Sequence, residues 1–128
     1  MIIIRPVDIE EEIRAALADY FTAYVRPLPA NFAVPSLLIT ATGGTSQNQI
    51  DTFTVVIDAR AETAAAADNL ARDALGVLEE LTKQQKGALR FADDNALANW
   101  RTDPVRPELE MRSITLRVIA HRESVKIN

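Results

Sequence analysis

Cysteine is absent from this chain of 128 residues, which excludes a disulfide framework and any thiolate metal site. Aromatic residues make up only 5% of it, so alanine, valine, leucine and isoleucine must do most of the packing. No apolar run approaches the roughly 20 residues that span a bilayer. The opening Met1–Pro6 is too short for a signal peptide and meets a charged run at once. These absences predict a soluble protein, made and kept in a cytoplasm. Positive charge is scarce too: the net charge is -4 and the sequence pI about 5.0. General nucleic-acid affinity needs a basic footprint, so neither that nor sequence-specific nucleic-acid binding is expected.

Hydrophobic residues form 48% of the chain and charged residues 25%, enough for one domain with a real core over residues 1–128. The charge is uneven. Residues 1–100 carry 8 Lys/Arg and 14 Asp/Glu, whereas residues 101–128 carry 6 and 4. An acidic body with a mildly basic end would favour head-to-tail contact between copies; the imbalance is also small enough to mean nothing.

Asp8 and Glu11 stand at capping-box spacing. Ile9, Ile13, Ala16, Leu17, Tyr20, Phe21 and Tyr24 then recur at helical spacing, which predicts a helix of about four turns closed by Pro27 and Pro29. Residues 36–42 read as a strand, Gly43-Gly44 as a turn, and residues 45–50, with Gln47 and Asn48, as a polar loop. Residues 52–60 alternate: Phe53, Val55, Ile57 and Ala59 against Thr52, Thr54, Asp58 and Arg60. Thr63 is a candidate N-cap for an amphipathic helix whose Ala67, Leu70, Ala71, Ala74, Val77, Leu78 and Leu81 share a face. Lys83 and Lys86 suit its C-terminus and Gly87 closes it. Short strands at 88–91 and 97–101 flank an Asp93-Asp94-Asn95 turn, and Asp103-Pro104 with Arg106-Pro107 make a stiff turn. Ile114, Leu116, Val118 and Ala120 mark the inner face of a last strand over 111–121, with a loose polar tail from Glu123. The predicted fold class is α+β: a two-layer α/β sandwich in the order α-β-β-α-β-β, with a mainly antiparallel four-stranded sheet packed on two helices.

Candidate chemistry is sparse. His121, the only histidine, lies on the polar side of a strand end with no motif that brings it a nucleophile and an orienting acid. Asp93-Asp94 lacks the alternating ligands and glycine of a calcium loop. Thr42-Gly43-Gly44-Thr45 lacks the ending of a phosphate loop and reads as a turn with positive φ at one glycine. The expectation is a protein with no catalytic residue, no metal and no cofactor, not an enzyme. Trp100 carries two readings, an interface anchor or a plug at the core's edge. The polar strand face (Asp58, Arg60, Thr115, Arg117) is either plain solvated sheet or a surface on which a neighbouring copy packs. In the second case Asp58, Arg60 and Arg117 would pair across the contact.

The order of elements has a counterpart. It runs from a helix opened by Asp8-Ile9-Glu10, through a strand leading into Thr42-Gly43-Gly44, to a strand holding Val55–Ala61. The alanine-rich helix from Glu62 follows at once, then Trp100 with Asp103-Pro104, and a closing strand from Met111 to Val118. This pattern resembles the tail terminator and tail-completion (head–tail joining) proteins of long-tailed phages over nearly the whole chain. The resemblance implies a structural phage or prophage protein found in the virion's tail or neck and assembled in the bacterial host cytoplasm. Such a protein forms a homo-oligomeric ring, typically a hexamer, that docks on the last ring of the tail tube, stops its growth and offers a surface to the head–tail connector. Alternatives are a head-closure or connector adaptor and, outside phages, a small ligand-binding α/β domain. A cyclic ring needs two complementary patches per copy. The polar strand face, Trp100 and the loop with Gly43, Gly44, Gln47 and Asn48 are the candidates.

Overall fold

Two long alternating strands hold the centre of the sheet, because their apolar faces are the longest in the chain. The computed structural model describes residues 1–85 and 87–128, with side chains described for the same residues except 91 and 94–98. In chain order the elements are β1 (Ile2–Arg5), α1 (Ile9–Leu17), β2 (Ala23–Val25), β3 (Ser36–Gln47), β4 (Ile50–Ala61), α2 (Ala64–Gln84), β5 (Leu89–Thr102), β6 (Glu110–Ala120) and β7 (Glu123–Lys126). The main sheet runs β2-β3-β4-β6-β5, and β1 and β7 form a separate two-stranded ribbon. The expected four-stranded, mainly antiparallel sheet in the order α-β-β-α-β-β is therefore corrected in strand number and element order. Among the described residues seven strands form two sheets, and the larger is mixed because β2 runs parallel to β3.

Both helices pack on one face of the main sheet. That face presents Leu37 and Ile39 from β3, Val55, Ile57 and Ala59 from β4, and Ile114, Leu116 and Val118 from β6, all buried. Ile39, Ile57 and Ile114 stand side by side across three strands. Helix α2 meets this layer with Ala67, Ala71, Ala74 and Leu78, whose small side chains bring its axis close to the sheet. Its N-cap Thr63 accepts a hydrogen bond from the Ala66 amide at 3.2 Å, satisfying an orphan donor. The helix ends at Gln84, and Gln85 adopts the left-handed cap at φ 55°, so the stop falls two residues before the expected Gly87. Lys86 lies outside the described residues.

Helix α1 is shorter than its periodicity suggests. It buries Ile9, Ile13 and Leu17 and stops there. Residues 23–25 instead pair with Leu37–Ile39. Tyr24 and Val25, an aromatic and a β-branched residue, suit a strand, and edge pairing outweighs continued helix. Tyr20 is left exposed, and Pro27 and Pro29 fall beyond β2 rather than at the helix end.

Two expected turns and the expected loose tail are strand instead. Gly43-Gly44 does not turn the chain; β3 runs on to Gln47 with a bulge between Ala41 and Gly43. Gly43 sits there at φ 144°. Gly44 passes so close to β4 that a Cβ would meet the Thr52 carbonyl oxygen, which only glycine allows. The turn falls on Asn48 and Gln49, both at positive φ between the paired Gln47 and Ile50, the two-residue geometry that matches strand twist. The supposed Asp93-Asp94-Asn95 turn is strand: β5 is continuous along β6 and absorbs extra residues as irregularities at 89–91, 94–96 and 96–99. The side chains of Asp94, Asn95 and Leu97 lie outside the described residues. The tail is not loose either, since Glu123–Lys126 pairs with Arg5–Ile2.

Candidate functional site

The sheet face away from the helices carries most of the polar residues singled out in the sequence. Asp58 stands beside Ser113 and accepts a hydrogen bond from its hydroxyl. Thr115 lies beside Val56, and Arg117 beside Thr54. Arg117 is exposed and meets Asp93 of β5 at 3.3 Å. Gly43, Thr54, Arg117 and Asp93 thus form one row across four strands. Half-buried Leu38, Val56 and Ile119 on the same face give it apolar ground beneath the charges.

Arg60 does not belong to that surface. It is 4% exposed and its Nε donates to Asp103 Oδ2 at 2.7 Å. Asp103 is fully buried and accepts a second bond from the Val105 amide at 2.9 Å. The Arg60 guanidinium and that of Arg106 both lie over the ring of Phe32, at 5.6 and 5.5 Å, within cation–π range. Burial pushes the Asp103 carboxyl up. Arg60 and the amides of Val105 and Arg106 outweigh it and hold the group below the ordinary carboxylate value. The cluster ties the 26–35 and 103–109 segments over one end of the sheet. Pairing of Arg60 with a neighbouring copy is corrected accordingly: its partner is within the chain. The Asp103-Pro104 pair signalled a turn, and nothing in the sequence linked it to Arg60.

Trp100 is 64% exposed and stands opposite Arg112 at the sheet edge. It is not a core plug. His121 follows β6, is exposed, and donates its amide to the Ala88 carbonyl at 2.7 Å.

At the opposite end of the molecule the sequence singled out Gly43, Gly44, Gln47 and Asn48, but not the terminal ribbon beside them. The β3–β4 hairpin is exposed from Thr42 to Ile50; Asn48 and Gln49 form its tip and Gln47 pairs with Ile50 just before it. Beside it the terminal ribbon brings Ile2 and Ile4, both largely exposed. An ion pair anchors the two: Arg122 holds the buried Asp51 with two bonds of 2.9 Å and reaches Ser46 at 2.7 Å. The Arg122 hydrogen bond holds the Asp51 carboxyl below its usual value. Two grooves of about 390 Å³ flank this junction. One is lined by Pro6, Ile9, Ala41, Gly44 and Phe53, the other by Ile4, Ile50, Ile119 and His121. Glu10 of α1 braces the same end from the helix side. Its carboxylate accepts from the Ala41 amide at 2.7 Å and from Arg26 at 2.9 Å, just past the end of β2's pairing.

Among the described residues no cluster of three His, Cys, Asp or Glu side chains that could hold a metal ion forms. Among them, too, no helix is long and apolar enough to cross a membrane. No protein-family model matches the sequence, and no curated protein matches it closely enough to count as a relative.

Proposed function

We propose that this chain is a structural assembly protein of a tailed phage or prophage, a ring at the end of the tail tube that stops its growth and joins tail to head. The observation that carries the reading is the contrast between a filled interior and an apolar exterior gathered at one end. Ile2, Ile4 and Ile50 are exposed there together, on a hairpin and ribbon that the helices do not cover. Contiguous exposed apolar residues mark contact sites. The sequence resemblance to tail terminators, carried by Asp8-Ile9-Glu10, Thr42-Gly43-Gly44, the Val55–Ala61 segment running into the alanine-rich helix, and Met111–Val118, supports the same reading. The ribbon end meets neighbouring copies. The open sheet face, with Asp58, Thr115 and Arg117, meets the tube; exposed Trp100 stands in register with Arg112 and Ala59, on the helix side of the edge strand, and makes a separate contact.

A head-closure adaptor would use the same surfaces against a different partner. The groove between Pro6 and Phe53 is what favours a ligand-binding domain instead, yet its carboxylate, Asp51, is already held by Arg122.

Mixing the protein with polymerised tube protein separates these readings. Negative-stain images should show rings capping one end of each tube, and the tubes should stop lengthening. Free protein beside uncapped tubes under all conditions would reject the terminator role.

A further inference from the structure

The terminal ribbon is an unfinished sheet. Its contacts are almost wholly between its own two strands, and a two-stranded ribbon by itself is marginal in water. Which backbone groups it leaves open follows from its ladder. Met1 and Ile127 exchange both hydrogen bonds, at 2.9 and 2.7 Å. Hydrogen-bonded pairs alternate along an antiparallel ladder, so Ile3 with Val125 and Arg5 with Glu123 are also bonded pairs. Ile2 and Ile4 on β1, and Ser124 and Lys126 on β7, therefore turn their N–H and C=O groups outward. Among the described residues nothing hydrogen-bonds to those groups.

We propose that copies of this chain join head to tail through the ribbon, the free β1 edge of one copy pairing antiparallel with the free β7 edge of the next. Three observations favour a second copy over another occupant. First, the two open edges match each other. In the register the chain already uses, Ile2 stands opposite Lys126 and Ile4 opposite Ser124, and these are the residues whose backbone groups face outward on each edge. Second, the charges match. Arg5 and Glu123 pair within one chain at 3.5 Å, and the same register sets each Glu123 between its own Arg5 and that of the neighbour. Third, repeating the ribbon keeps every strand antiparallel to the next, so each copy spends one edge on each neighbour. That is the heterologous contact from which rings close. Added strands also turn the marginal ribbon into a sheet of four or more strands, the size at which sheets hold on their own. The inference does not depend on the tail reading: edge pairing would assemble the chain whatever the assembly serves.

Proline tests it with little disturbance, since it removes one N–H and is tolerated at edges. Ile4→Pro deletes an outward donor on β1, and Ser124→Pro deletes one on β7. Neither removes a bond of the internal ladder. By size-exclusion chromatography with light scattering, the wild-type protein should run as a multimer. Each proline variant should run as a monomer with an unchanged melting curve. An equimolar mixture of the two should give a dimer, because each supplies the edge the other has lost. If a proline variant melts early, Arg5→Glu should weaken assembly and Arg5→Glu with Glu123→Arg should restore it. A wild-type monomer at millimolar concentration would overturn the proposal. So would multimers of unchanged mass in both proline variants, or a ribbon that pairs only with a different protein. Assembly that survives both prolines removes this interface and leaves the tail reading standing. A ribbon-dependent multimer that ignores tube protein does the reverse.

Discussion

The helix-covered sheet and the terminal ribbon use one residue type in opposite ways. Ile13, Ile39, Ile57 and Ile114 are at most 1% exposed, whereas Ile2 and Ile4 are 72% and 64% exposed. Inside, each isoleucine is covered by its own chain, and its burial stabilises the monomer at roughly 25 cal/mol per Å² of apolar surface. On the ribbon the same gain is not realised within the chain and is open to another surface. The polar groups divide in the same way. Among the described residues every buried side-chain nitrogen or oxygen has a hydrogen-bond partner, while the ribbon keeps backbone donors and acceptors turned outward. The body is a finished fold, and the ribbon end is the part built to be completed.

The division is broken most severely at the buried ion pair. Asp103→Ala leaves the Arg60 charge buried without a partner, which should cost about 3–5 kcal/mol in urea unfolding and leave any folded fraction able to assemble. The pair also sets a pH dependence. The Asp103 carboxyl is depressed in the folded protein against an unfolded value of about 3.9. Its contribution is therefore complete above that pH and lost as pH falls through the folded value. Wild-type stability should drop on acidification through that window, and Asp103→Asn should flatten the drop; identical acid limbs would contradict it.

Leu78→Ala acts on the body alone. Leu78 is 1% exposed beneath α2, so its truncation should cost about 2–5 kcal/mol by thermal or urea melting, with the multimer mass unchanged in the cold. Asp51→Asn acts on the anchor between hairpin and ribbon. It should lower the melting temperature less than either core change but loosen assembly, seen as dissociation at higher protein concentration than wild type. Arg117→Glu should move stability least, because an exposed ion pair contributes about 0–1 kcal/mol. Its self-assembly should match wild type while capture of tube protein falls. Loss of self-assembly in Arg117→Glu would move the copy-to-copy contact to the open sheet face.

The sequence was most legible where periodicity and burial coincide. The alternation of Val55, Ile57 and Ala59, and of Ile114, Leu116 and Val118, marked the two central strands and their inner face. The spacing of Ala67, Ala71, Ala74 and Leu78 marked α2, and Asp8 and Thr63 marked the helix starts. It misled where partners distant in the chain decide. Tyr20 to Tyr24 fit a helical stripe until β3 offered an edge for Ala23–Val25. Gly43-Gly44 looked like a turn because glycine is common there, yet the pair serves a bulge and a close approach within β3. Asp93-Asp94-Asn95 looked like a turn until β6 gave it a continuous strand to pair with. Ile2–Ile4 is too short to show a period, and its partner lies some 120 residues away, so no local pattern announces the ribbon. Of the interface candidates, Arg117, Thr115 and Asp58 share one face of the sheet and Trp100 is exposed at its edge. Arg60 alternated onto that same polar side, but the 103–109 segment folds over it. An arginine covered by a distant loop leaves no trace in strand periodicity.

Amide hydrogen exchange measured by NMR on dilute and concentrated wild-type protein tests the division most directly. The amides of Ile2, Ile4, Ser124 and Lys126 should exchange freely when dilute and become protected when concentrated, while those of β4, β6 and α2 stay protected throughout. Protection gained instead along β5 or the open sheet face, with the ribbon amides exchanging freely at both concentrations, would contradict it.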